Sequence, residues 1–420
     1  MSGYWKSVWP AEDAGASRQQ IPHGIAGPKL GVRTRPVVVS RDVVAATMVV
    51  VRGDDEMYLL RHTAGENAVS WVERIDPITL EPIAQSTQLA GGPMWPGGIA
   101  VHENGSIYVV FGNHAHRLAP DLTVLASIAL PRLRPYNSFV ILPSGHIATK
   151  DFSGPAPGST DAHTMEPTEL LILEPQDLRI VARLEMPEPS IARLSADQNI
   201  IYVVGTTSLM RVHWSDNKLL LDQRFKAEYR TIEGQTFGWD AVIAAGSAWF
   251  LDNGEGSHLF MGTFRGVGVS QAPLHLVRVN LLTGVVTTAE ICGEQNGVIA
   301  NPPVIDERRC IAVGYDSGNG VITAFDFDDD GSMTPRWTRQ QNHASHMVFY
   351  PDTGELVTAD YRPEDAVKEQ LVVLDIKTGE EKVRIDTKSP IQTVVFPAVG
   401  ANGDLYWTST WTLTRVRWRP

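Results

Sequence analysis

The chain has 420 residues, 43 % apolar and 20 % charged, with a formal charge of −12. This balance suits a globule with a large buried core, and no apolar run reaches the ~18 residues of a membrane span, so a membrane helix is excluded. Negative charge without any run of lysine and arginine argues against a nucleic-acid partner.

The opening Met1-Ser2-Gly3-Tyr4-Trp5-Lys6 lacks the basic start and apolar stretch of a secretory signal, which predicts a cytoplasmic protein. Residues 1–34 are rich in Gly, Pro, Ala and polar types and read as an arm lying on residues 35–420. From there a β-rich run, a tight polar turn and a second β-rich run recur at intervals of roughly 40–60 residues. The pairs are 47–51 with 57–60, 98–101 with 107–110, 139–142 with 147–149 and 191–194 with 201–204. They continue as 241–243 with 248–251, 303–305 with 310–313, 347–350 with 356–358 and 394–396 with 405–407. Such a chain is an all-β, eight-bladed β-propeller. Only one strand, 413–418, follows the last hairpin, and the run 36–40 supplies the missing outer strand, closing the ring from both termini. Seven blades is the alternative, if the first hairpin belongs to an irregular extension.

Several third strands enter a polar turn: Asp76-Pro77-Ile78-Thr79, Asp177-Leu178, Asn280-Leu281-Leu282-Thr283-Gly284 and Asp375-Ile376-Lys377-Thr378-Gly379. The Asp or Asn side chain bonds the turn backbone, and Gly, where present, takes positive φ. These turns resemble the repeats of pyrroloquinoline-quinone-type and related bacterial propellers. That resemblance implies the fold. A quinone-dependent dehydrogenase of that type would be exported, carry a vicinal cysteine pair and repeat a tryptophan in its outer strands. This sequence has none of these, so quinone chemistry is not expected. Its two cysteines, Cys292 and Cys310, read as free thiols.

Counted along the second strand of each hairpin, Asp151, Asp252 and Asp360 share one column, with Asp316 one place beyond. A strand-end Asp either caps a loop or belongs to a site. Three-residue hairpin loops would set Asp151 opposite Asn137, Asp252 opposite Gly238 and Asp360 opposite His346. Directly opposed side chains lie ~5 Å apart on one face, which makes His346 a candidate general base oriented by Asp360. Asn137, Asp151, Trp239, Asp252, Tyr136 and Trp95 would line the same rim as substrate-binding groups. Alternatively Asp151, Asp252 and Asp360 would ligate a divalent cation such as calcium. The insertions 152–168 and 253–273 read as lids. These readings predict a hydrolase, lyase or isomerase acting on a small molecule at the channel mouth. The alternative is a non-catalytic scaffold whose rim binds a protein or peptide.

Overall fold

A computed structural model describes residues 2–28, 30, 34–154, 165–252, 254, 263–299, 301–366 and 368–419. The parts of the two expected lids at 155–164, 253 and 255–262 lie outside the described residues. Eight antiparallel sheets form a ring, and among the described residues a single 3-10 turn, Glu12–Ala14, is the only helix. The innermost strands, in order, are Ala46–Gly53, Gly98–Val101, Tyr136–Ile141, Ser195–Asp197, Val242–Ala244, Val304–Asp306, Val348–Tyr350 and Ala398–Val399. Among the described residues no helix is long and apolar enough to cross a membrane.

The radial order of each blade follows from its residues. Second strands such as Ile107–Phe111 and Ser247–Leu251 are buried throughout, because apolar neighbours cover both faces. Fourth strands such as Val124–Ala129 alternate exposed and half-buried positions, as an edge facing water should. Ring closure is as expected: Arg35–Asp42 pairs antiparallel with Thr412–Arg419, Val38 opposite Val416, and completes the eighth blade.

The turns after third strands use the expected mechanism. Asn280 Oδ1 accepts from the N–H groups of Leu282 (3.0 Å) and Thr283 (2.9 Å), and Gly284 sits at φ 74°. In the first and third blades the glycine position is held instead by Leu80 (φ 67°) and Leu178 (φ 64°), both fully buried. Burial of a leucine, worth ~2 kcal/mol, offsets the left-handed backbone there.

Because strands alternate in direction, blade-to-blade connections and second-to-third loops emerge on one face of the ring, and the hairpin turns on the other. The N-terminal arm runs around the hairpin-turn face. Carbonyls of Trp9, Pro10, Ala16, Ser17 and Gln20 accept from Val51 (2.8 Å), Val101 (2.7 Å), Ala196 (2.8 Å), Ile243 (2.9 Å) and Phe349 (2.9 Å). Gln20 Nε2 donates to the Pro303 carbonyl (2.8 Å), and the Tyr4 hydroxyl accepts from Ile141 N–H (2.8 Å). The arm therefore bonds the innermost strands, or the residues leading into them, of seven successive blades. Asp13 (φ 53°) and Ala14 (φ 67°) both take left-handed backbone at the point where the arm turns into the channel.

Candidate functional site

Two acidic side chains of the arm, Glu12 and Asp13, enter the channel and meet Arg18, Ser138, Arg193, Asp240 and His346, all buried. Arg18 Nη1 lies 3.1 Å from Glu12 Oε1 and 3.0 Å from Asp13 Oδ2, and its Nε donates to the Leu194 carbonyl (3.0 Å). Arg193 pairs with Glu12 (3.0 Å) and Asp240 (3.2 Å), and its backbone N–H donates to Asp240 Oδ1 (2.6 Å). The Ser138 hydroxyl donates to Glu12 from a residue at φ 99°. His346 Nδ1 bonds Asp13 Oδ1 at 2.7 Å, and the ring lies 4.4 Å from that of Phe396. Burial alone would push the Asp13 carboxyl up, but the neighbouring His346 and Arg18 hold it below the usual carboxylate range.

This geometry corrects the expected dyad. Asp360 does not face His346: its Oδ1 accepts from Asn342 N–H (3.0 Å), and its Oδ2 binds Arg362 (2.9 Å) and Arg384 (2.8 Å). The cause is one residue of register. Tyr350 pairs with Glu355 across a four-residue loop, not three, so the same register places Ala359, not Asp360, beside His346. In the fifth blade Ala244 pairs with Ser247 across a two-residue loop with Ala245 and Gly246 both at positive φ, which brings Trp239, not Gly238, level with Asp252. The third blade follows the expected register near its turn, then an irregularity between Tyr136 and Phe139 sets Asp151 opposite Tyr136. Asn137 lies in that irregular stretch, and its side chain falls outside the described residues.

The aspartate column is instead a set of ties at the ends of second strands, each carboxylate accepting a backbone N–H from a neighbouring loop or strand. Asp151 accepts from Glu169 N–H (2.5 Å) and Thr168 Oγ1 (3.0 Å) and pairs with Arg134 (2.9 Å). Asp252 accepts from His275 N–H (2.7 Å), His275 Nδ1 (2.9 Å) and Gln235 (2.8 Å). Asp316 accepts from Asn319 and Val298 in the same way. Burial pushes the Asp252 and Asp316 carboxyls up. The expected metal set is corrected too. Asp151, Asp252 and Asp360 each satisfy a loop of a different blade, whereas among the described residues the His, Cys, Asp and Glu side chains that converge are Glu12, Asp240 and His346.

The rim aromatics are close to one another but pack together. Trp95 stacks on Phe152 (4.4 Å) and lies 6.5 Å from Trp239, while Tyr136 is buried against the third blade. His343, beside the expected base, is edge-on to Tyr315 (4.5 Å), and burial pushes its imidazole down to about 3. Lys150 is buried on the third blade with Nζ donating to the carbonyls of Asp151 and Ser190, and burial pushes its amine down to about 7.

What the sequence reading missed was the partner of His346. Glu12 and Asp13 sit in a stretch with no strand pattern, and the usable signal was that Glu12-Asp13 and Arg18 put three charges into an otherwise Gly/Ala-rich arm.

Glu369, fully buried at the start of a third strand, carries a pH prediction. Burial pushes its carboxyl up from 4.5 to about 8, with Trp407 Nε1 (3.5 Å) its close donor. Between those values the folded state holds a proton that the unfolded state has released. The contribution is therefore complete below pH 4.5 and is lost as pH rises to 8, at about 1.4 kcal/mol per pH unit. Relative to wild type, Glu369→Gln should gain stability progressively over that window in urea titrations; parallel curves for the two proteins would refute the assignment.

No protein-family model matches the chain, and no curated protein matches it. Solved structures do. Quinohemoprotein alcohol dehydrogenase from Comamonas testosteroni superposes with a TM-score of 0.63 at 10% identity, over 97% of this chain and 80% of that one. A europium-containing methanol dehydrogenase gives 0.59 at 10% identity, over 95% and 88%. BamB from Moraxella catarrhalis gives 0.56 at 11% identity, over 89% and 100%. At such identities the likeness is one of fold alone, that of a β-propeller. The expected hydrolase, lyase or isomerase is corrected: these similar structures are dehydrogenases and BamB, and the side chain expected to act as base is bonded to the arm.

Proposed function

We propose that the chain is a non-catalytic propeller scaffold that binds a protein or peptide on the face carrying its blade-to-blade connections. The observation that carries this reading is the placement of exposed apolar side chains. Val44, Met94, Leu133, Ile232, Val269 and Trp411 all lie on loops of that face, with Leu133 85 % exposed. Val44 and Trp411 are neighbours, since Val43 N–H donates to the Trp411 carbonyl (2.9 Å). Isolated exposed apolar residues are ordinary, but several on one face of a ring match the anchors of protein interfaces. The connections of the opposite face expose Ile78, Leu282 and Val285 among the described residues, and that face is also crossed by the arm. Catalysis is disfavoured by the burial of the channel's acids and His346, which are closed off from solvent.

Photo-crosslinking amino acids placed at 133 and 411 in the native cell should capture one and the same polypeptide, and one at 282 should not. Leu133→Glu combined with Trp411→Glu should lower its recovery at least about tenfold, the loss expected when two interface anchors are removed. Different or no polypeptides at 133 and 411 would overturn the reading.

A further inference from the structure

We propose that Glu12, Asp240 and His346 form a structural site for one divalent first-row metal ion, zinc by its donors, that fastens the N-terminal arm across the channel. The site is independent of the docking face, so failure of either reading leaves the other standing. One nitrogen of His346 and one oxygen from each carboxylate lie within 4.8 Å of one another, near enough that small side-chain shifts would bring them to the ~3.5 Å separation of tetrahedral ligands at ~2.0–2.2 Å from an ion.

The pointer to a ligand is the histidine. His346 is 1 % exposed, its Nδ1 is bonded to Asp13, and its Nε2 has no hydrogen-bond partner among the described residues. A buried polar atom without a partner has lost its hydration with no hydrogen bond in exchange, which is unfavourable. Carboxylate, imidazole and metal in series is the arrangement that removes this cost. Asp13 holds the proton on Nδ1, fixes the ring and raises the basicity of Nε2, which then donates its lone pair.

Charge and topology agree. Three carboxylates, Glu12, Asp13 and Asp240, meet two guanidiniums, Arg18 and Arg193, so the carboxylates outnumber the guanidiniums around His346. The ion pairs do not exhaust the carboxylates, because each oxygen has more than one lone-pair direction. An imidazole with two carboxylates suits zinc better than calcium or magnesium, which favour oxygen-only sets. The three residues come from the arm, from the connection into the fifth blade and from the connection into the seventh. An ion there would join segments that share no strand pairing, and the paired left-handed residues Asp13 and Ala14 are what aim the arm's acids at it.

The test is uptake of Zn2+ alone by the full-length protein after chelator dialysis, followed by calorimetry. One equivalent should bind, and the midpoint of thermal unfolding should rise with it. Asp13→Asn, which spares all three ligands, should weaken binding about 10–100-fold, and His346→Gln at least as much. His213→Gln, a half-buried histidine on the third strand of the fourth blade, should leave binding unchanged. Co2+ added to the wild-type chain should give a visible ligand-field band, a readout that needs no variant to fold. Absence of that band, no zinc uptake by the wild type, or uptake unchanged in Asp13→Asn and His346→Gln would overturn the proposal, leaving a cluster that holds only protons.

Discussion

Replacing Arg18 by methionine should destabilise the protein by about 3–5 kcal/mol, the range for breaking a buried ion pair from one side. Arg18 is 1 % exposed and contacts both arm carboxylates and the Leu194 carbonyl, so its loss leaves Glu12 and Asp13 with fewer counter-charges where water cannot replace them. Methionine keeps the apolar stem but supplies no donor. The arm's backbone bonds to the strands remain, but its under-compensated carboxylates are driven out of the channel toward water, so the first consequence should be local release of the arm, with cleavage within residues 1–34 rising before the ring unfolds. Urea denaturation at pH 7 and limited proteolysis read the two effects. A loss below about 1 kcal/mol with an uncut arm would show that the cluster is not what anchors it.

A disulfide between cysteines placed at Val38 and Val416 should have the other large effect, raising stability by up to about 5 kcal/mol when oxidised. These residues are paired across the closing sheet, and they sit near opposite ends of the chain, so the closed loop contains almost the whole ring. The entropy removed from the unfolded chain grows with loop length and is near its practical maximum here. Cys292, half-buried, and Cys310, exposed, would be replaced by serine so that the new bond is unambiguous. The denaturant midpoint should rise on oxidation and return on reduction. Equal midpoints in both states would overturn the expectation, showing that strain in the closing sheet cancels the entropy removed from the unfolded chain.

The fold was legible because it is encoded locally and repeatedly. Each hairpin carries its own alternation of apolar runs and polar turns, and Asn280 and Asp375 form the turns their neighbours promise. Even ring closure could be read, since a single strand at 413–418 called for a partner and residues 36–40 were the β-rich run left over. The site was not legible to the same degree. Its derivation rested on loop lengths, and one residue more at Pro351–Gly354 or one fewer at Ala245-Gly246 moves every opposed pair by a position. Asp151, Asp252 and Asp360 do recur in the sequence, but the recurrence reflects a repeated structural task, acceptance of a neighbouring backbone N–H at the end of a second strand.

From the order of its residues alone the chain determined that it is an all-β ring of eight sheets, stitched shut by its first and last strands, because hairpin pattern and turn chemistry act between neighbours. Only the tertiary structure decided which charged groups meet. His346 finds Asp13 across 333 positions of sequence, and no periodicity can announce a contact made when an irregular arm folds back over a finished ring. Burial makes that contact matter: once the channel is closed to water, each carboxylate must be matched by whatever cation or donor the fold brings near, and that choice belongs to the assembled ring.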